Sequence, residues 1–449
     1  MKIENNQTIE KGGWMKFLKT SLFLAILGLF AVIAFTGCSD DNGTDPTDDP
    51  DTSVIVISGV ITEDTTFYGD KEYLLRGGVF IGDGHDETVL TIEPGCKIYG
   101  ESATNGMLVI ARRSRIMANG TAANPIVMTS DKAPGSRGRS DWGGLIINGL
   151  APLNTADSAW GEGSTGYYGG TDPHDNSGVL RYVRVEFAGR EISPDNELNG
   201  IAFQGVGDAT TVEYIQVHMN KDDGVEMFGG TCNLKYVLLT GIGDDSFDYT
   251  DGWQGKAQFI VAQQYGDDAD QGFEMDNSGE DNTATPYSNP QIYNFTLIGA
   301  PDGPESDDGV LLREGTKGHL YNGIIMGFHE YGLDIDHSAT FDNVTAGELV
   351  LDNCIFFGSV LGNFSTDDDG FDEENFALVT MSNNIVATSS PVISPYNLSS
   401  PNFKPQNSAL THTVQTPPND GFFDTTVDFI GGVDPDNDWT QDWTIFDVN

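Results

Sequence analysis

The stretch NKDDGVEMFGGTCNLKYVLLTGIGDDSFDYTDG, residues 220–252, states nearly the same phrase twice. DDGVEMFGG begins at Asp222 and DDSFDYTDG at Asp244, 22 residues later. The phrase recurs along the chain when aligned on the small residue that opens each strand. The openings are Gly200, Gly224, Ser246, Gly272, Gly309 and Gly332, at intervals of 24, 22, 26, 37 and 23 residues. A period in the low twenties, broken by occasional insertions, is the mark of a solenoid.

A second strand recurs in every unit: LRYVRVE from Leu180, VEYIQVH from Val212, LKYVLLT from Leu234, AQFIVAQ from Ala257, IYNFTLI from Ile292, LYNGIIM from Leu320, LDNCIFF from Leu351 and MSNNIVA from Met381. Its third position reads Tyr182, Tyr214, Tyr236, Phe259, Asn294, Asn322, Asn353, Asn383. Successive coils of a parallel β-helix stack such residues about 4.8 Å apart. An asparagine column is expected to bond along the stack, and asparagine tolerates turn conformations. After each small residue, apolar side chains alternate with acidic ones, as in Val225, Glu226, Met227 and Phe247, Asp248, Tyr249. That is a strand with one buried face. The fold class is therefore all-β, a parallel β-helix of roughly ten coils, with long loops and a C-terminal cap. Residues 151–178 read as a long loop, and 391–449 as a tail that closes the open end of the solenoid.

The chain has 449 residues, with 22 Lys+Arg against 68 Asp+Glu and a net charge of -46. Such a surface repels nucleic acid and anionic headgroups, and favours cations. The 55 glycines suit many tight turns. From Met15, a basic n-region with Lys16 and Lys19 precedes the apolar run Leu22–Phe35. That run is too short to span a bilayer and reads as a signal peptide, residues 1–37. Residues 1–14 read as an extension from a misassigned start codon. FTGC resembles a lipoprotein processing site, with Cys38 the lipidated residue and Phe35 a departure from the usual leucine. Residues 38–53 form an acidic tether, and 54–449 a single β-helix domain. The tether resembles a Bacteroidetes-type surface-export signal; a plain acidic linker is the alternative. The expected location is the outer membrane, facing outward, held by the lipid alone. Cys96, Cys232 and Cys354 are far apart and show no zinc spacing.

TIEPG, GTAANPIVMTS, WGGLIINGLAPLN, DNSGVLRYVRVEFAG, NKDDGVEMFGGT and GDDSFDYTDGWQGKAQF together resemble uncharacterised β-helix lipoproteins of Bacteroidetes type, over about residues 54–449. The resemblance implies a pectate-lyase-like right-handed β-helix and little chemistry.

Chemistry is expected where outward parity places Asp222, Glu226, Asp244, Asp248, Asp270 and Glu274 in two neighbouring columns, continued by Asp307, Glu330 and Asp334. Two carboxylates about 4.8 Å apart repel by roughly 1 kcal/mol in water, and more where water is excluded. Lys221, Lys256, Arg313 and His218 are the nearby compensators. Three readings stay open. Divalent cations, calcium above all, suit hard oxygen ligands. The paired aspartates Asp222, Asp223, Asp244, Asp245, Asp307 and Asp308 equally suit backbone capping of each turn. A carboxylate pair also suits general acid–base work on a polysaccharide. DPDND at Asp434, Asp436 and Asp438 has calcium-loop alternation, but Trp439 stands where glycine is needed. Trp253, Trp160, Tyr167 and Tyr168 are candidates to stack on sugars or to pack against the coil wall. The functional expectation is a monomeric surface protein that binds or adheres through extracellular glycans or cations. The alternatives are a polysaccharide lyase or glycoside hydrolase, and a structural surface protein with no small ligand.

Overall fold

The computed structural model describes residues 54–193, 196–366 and 370–449. Strands pair in parallel into one 24-stranded sheet that winds as a β-helix with three faces. The strand Thr211–His218 shows how each coil is built. Residues 211–213 pair with 233–235 on face A, and residues 215–218 pair with 237–240 on face B. A turn follows, and Val225–Phe228 then pairs with Phe247–Thr250 on face C. The same register runs on through Lys256–Gln263, Gln291–Ile298 and Gly318–Met326. Inward residues such as Ile215, Val217, Val225 and Met227 are fully buried in one continuous core.

The small residue that opens each face C strand has a steric cause. A Cβ on Gly224 would lie 2.5 Å from the Ser246 carbonyl oxygen of the next coil, and one on Gly272 equally close to that of Gly309. Larger side chains at these two positions would push the coils apart.

The A–B corner explains the aromatic and asparagine column. Tyr182, Tyr214, Tyr236, Phe259, Asn294, Asn322 and Asn353 all have φ between 50 and 64°. This left-handed conformation costs an ordinary residue about 1–2 kcal/mol, and asparagine less. Stacking compensates the aromatic members: Tyr182 lies 4.5 Å from Tyr214, Tyr214 4.2 Å from Tyr236, and Tyr236 4.9 Å from Phe259, centroid to centroid. The asparagines do not bond along the stack as expected. Their amides donate instead to the C-terminal tail: Asn294 to Phe429 O (2.9 Å), Asn322 to Gln415 O (2.8 Å) and Asn353 to Thr413 O (3.0 Å). The Gln415 amide returns a bond to Asn322 Oδ1 (2.8 Å). Asn383 leaves the column; its amide donates to Asp352 at 2.8 Å.

The tail therefore is not the end cap that was expected. It lies lengthwise along the flank as a strap. It reaches Lys235 at Phe422, doubles back to Asn322 at Gly431, and climbs again to Arg184 at Trp443. The far end of the solenoid is closed instead by Phe371, Phe376, Ala377, Leu378 and Met381, packed on the last coils. Short helical segments at Glu373–Asn375 and Phe376–Thr380 carry most of that closure. Within 151–178 a small antiparallel hairpin, Ala159–Gly161 with Gly166–Tyr168, stands where only loop was expected.

Asn322→Ala is expected to destabilise the protein by about 2–4 kcal/mol, through two lost bonds and an alanine held at positive φ. Asn322→Gly, which keeps the corner, should cost about 1–2 kcal/mol. Denaturant melts of both variants check the split between bonding and conformation.

Candidate functional site

Face C carries the acidic residues. Glu226, Asp248 and Glu274 occupy one outward column by strand register, after Ala202 and before Leu311. Beside them, the turns entering face C place Asp222 and Asp223, Asp244 and Asp245, Asp270 and Gln271, and Asp307 and Asp308 on successive coils. The inner member of each pair ties its coil to the next. Asp223 Oδ1 accepts the Asp245 amide (3.1 Å), Asp245 Oδ1 that of Gln271 (2.7 Å), Gln271 Oε1 that of Asp308 (2.8 Å) and Asp308 Oδ1 that of Tyr331 (2.8 Å). Backbone capping thus accounts for the inner aspartates, though not for Asp222, Asp244 or Asp307.

Outward parity does not leave these acids open to solvent. Glu226 and Asp248 are only 8% and 7% exposed, and Asp223 and Asp245 are equally buried. The turns close over them, and the Asn199 amide donates to Glu226. Glu162 and Glu197, from segments before face C, lie within electrostatic reach of Asp222. Compensation by cations is also thinner than expected. Arg313 pairs with Glu274 and with Asp276 (3.0 Å). Lys221 turns to Asp268 (2.8 Å), and Lys256 to Asp420 (2.5 Å). His218 sits in face B, bonded to Thr240 and to the Asp447 carbonyl, both at 2.8 Å.

Burial, then mutual repulsion, pushes the carboxyls of Asp223, Glu226, Asp245 and Asp248 well above their usual range. Desolvation likewise raises Asp308 to about 8 and Glu162 to about 7. Asp248 adds repulsion at Glu226, and Glu274 at Asp245, so the close pairing of acids favours the protonated forms of Glu226 and Asp245. Three sets bring carboxylate oxygens within 4.8 Å of one another: Asp222, Asp223 and Asp244; Asp223, Glu226 and Asp248; Asp244, Asp245 and Asp270. In the second set Asp248 Oδ1 is buried without a hydrogen-bond partner. Protons or a divalent cation satisfy such an array, and oxygen-only donors suit calcium.

Of the two tryptophans proposed for glycan stacking, Trp253 is corrected. The turn at Gly252 folds its indole into the core, fully buried between Phe247 and Tyr249, with Nε1 donating to Cys232 O at 3.1 Å. Trp160 is 57% exposed and meets the equally open Tyr167 edge-on at 4.8 Å. The Arg112 guanidinium lies 5.6 Å over the Tyr167 ring. These residues, with Phe80, His85 and Asn148, line a groove of about 440 Å³. Nothing local in the sequence joins Arg112, Phe80 or His85 to the hairpin, because coil stacking alone brings them together. Tyr168, the other loop tyrosine, is buried. Asp434 and Asp438 cap local turns, accepting from the amides of Asp436 (2.7 Å) and Thr440 (3.1 Å), rather than forming a calcium loop. Cys96, Cys232 and Cys354 are free and buried; Cys38 lies outside the described residues.

A family model described as a pectate-lyase-like β-helix domain matches residues 59–411. No curated protein and no solved structure matches the chain.

Proposed function

The chain belongs to the pectate-lyase-like β-helix family, and from that premise we propose that it is a monomeric, lipid-anchored surface protein that binds extracellular glycan along face C, with calcium held in the buried carboxylate stack. One hairpin supports this reading: it offers Trp160 and Tyr167 to solvent beside Arg112, and it brings Glu162 within reach of the stack. Exposed aromatic rings pack on the C–H faces of sugars, and a guanidinium pairs with sugar carboxylates. Asp223, Glu226 and Asp248 are the residues that would hold the ion, with the unpartnered Asp248 oxygen as a ready ligand. Lipidation at Cys38 and outward export at the outer membrane place the glycan face outside the cell; mass spectrometry of the mature N-terminus tests the first.

A glycan panel measured by calorimetry, with reducing-end and unsaturated-product readouts, separates this reading from its rivals. Binding without product supports it. Product formation favours a lyase or hydrolase, for which the closely paired Glu226 and Asp248 would be the working carboxyls. Their burial speaks against substrate access. Neither binding nor product leaves a structural surface protein. Trp160→Ala should weaken binding of an acidic oligosaccharide at least about tenfold, near 1.4 kcal/mol, with an unchanged melting temperature. Unaltered affinity in that variant would remove the groove from the proposal.

A further inference from the structure

We infer a second binding pocket, for a small organic ammonium ion, where the C-terminal strap crosses the aromatic column of the A–B corner. A cavity of about 140 Å³ lies there, lined by Tyr214 and Tyr236 of the column and by Asp424, Asp428, Asp434 and Trp439 of the strap. That is close to the size of an engineered cavity that admits benzene, about 150 Å³. The Tyr214 and Tyr236 rings stack on one another at 4.2 Å, and both line the cavity. The indole of Trp439 stands across them, 5.5 Å from Tyr236 at 64°.

The lining chooses the ligand. One oxygen of Asp424 already accepts from Thr426, and one of Asp434 from the Asp436 amide; their other oxygens, the Asp428 carboxylate and two phenol oxygens remain to accept hydrogen bonds, and a primary ammonium group donates them. An indole face attracts a cation as well. Among the described residues, no basic side chain lines the cavity. Lys235, which acts electrostatically on Asp424, is engaged with the Phe422 carbonyl and ring. A metal ion is a poorer fit. Among the described residues, the sets of carboxylates that converge within 4.8 Å all lie on face C, none in this cavity. Carboxylates spread around a space suit an extended cation better than a point charge. The ammonium group belongs either to a small free primary amine or to a lysine side chain of a partner.

Calorimetry and saturation-transfer NMR on the full mature chain test this, in calcium so that face C is already loaded. The probes are methylammonium, N-acetyl-lysine methylamide, sodium chloride at matched ionic strength, and glucose. Saturable binding of either ammonium compound, with a dissociation constant on the order of 1 mM or tighter, is expected. The tighter of the two identifies the source. Asp428→Asn should weaken it about tenfold. Asp428 is exposed, so the fold should be kept, and an unchanged melting temperature confirms that. Heats no larger than those of sodium chloride, or saturable binding of glucose alone, overturn the inference. Full affinity in Asp428→Asn does the same. Loss of glycan binding on face C would leave it untouched.

Discussion

Calcium added at pH 8 is expected to raise the melting temperature by about 3–5 °C, and by far less at pH 5. The reason is competition between metal and protons for one set of oxygens. The folded protein raises its stack carboxyls above the unfolded value near 3.8 for aspartate. Asp251 reaches about 6, Glu162 about 7 and Asp308 about 8. A folded state that holds protons more tightly than the unfolded chain loses stability as pH rises. That contribution is whole below about pH 4 and is lost progressively up to about pH 8. His218 acts in the opposite sense. Burial lowers its imidazole to about 4, so its contribution is present above about 6.5 and fades as pH falls through 4. Without metal, stability should therefore peak in the mildly acidic range. Calorimetry in EDTA across pH 4 to 9, repeated with calcium, tests this. A metal-free melting temperature that climbs from pH 5 to 8 contradicts the electrostatics. Asp248→Asn supplies the control: it should raise the metal-free value at pH 8 and abolish the calcium increment. A surviving increment would move the metal away from Asp223, Glu226 and Asp248.

Much of this architecture was legible because coil stacking writes itself as a period. The interval between Asp222 and Asp244 predicted that they would be neighbours, and their oxygens do meet in one cluster. The column beginning at Tyr182 predicted stacked rings. Three things were not legible, each for a physical reason. Parity says which way a side chain leaves the strand, not what lies over it, so Glu226 and Asp248 read as open acids although turns bury them. Trp253 follows a turn glycine, where alternation stops carrying information. The asparagines read as a ladder because identical residues at one register suggest mutual bonds; their left-handed corners aim the amides at the strap instead. One signal went unused. VLL from Val237, FIVA from Phe259 and IIM from Ile324 are unbroken apolar runs, as in strands covered on both sides. They required a cover over face B, though not which segment supplies it.

Ending the chain after Thr411, so that the later part of the strap is gone, should have the largest effect of any change described: loss of soluble monomer, or a melting temperature lower by at least about 10 °C. The outward column of face B runs Gln216, Leu238, Val261, Thr296, Ile324 and Ile355 by register. Its apolar members are fully buried, packed under Phe429, Ile430, Val433, Trp439 and Trp443. Each large apolar side chain returned to water costs about 1.5–3 kcal/mol, so four of them outweigh the ordinary margin of a folded domain. The truncation also removes the acceptors of Asn294, Asn322 and Asn353, and leaves Tyr182 to Phe259 as an exposed aromatic stripe. Exposed stripes of that kind promote association. Size-exclusion chromatography with light scattering, beside a thermal melt, reads both consequences. A truncated chain that stays monomeric and melts within about 2 °C of the full protein would show that the coils stand without their strap. If instead it folds at low temperature, face C should keep its calcium increment, since among the described residues Asp223, Glu226 and Asp248 have no hydrogen bond to the strap.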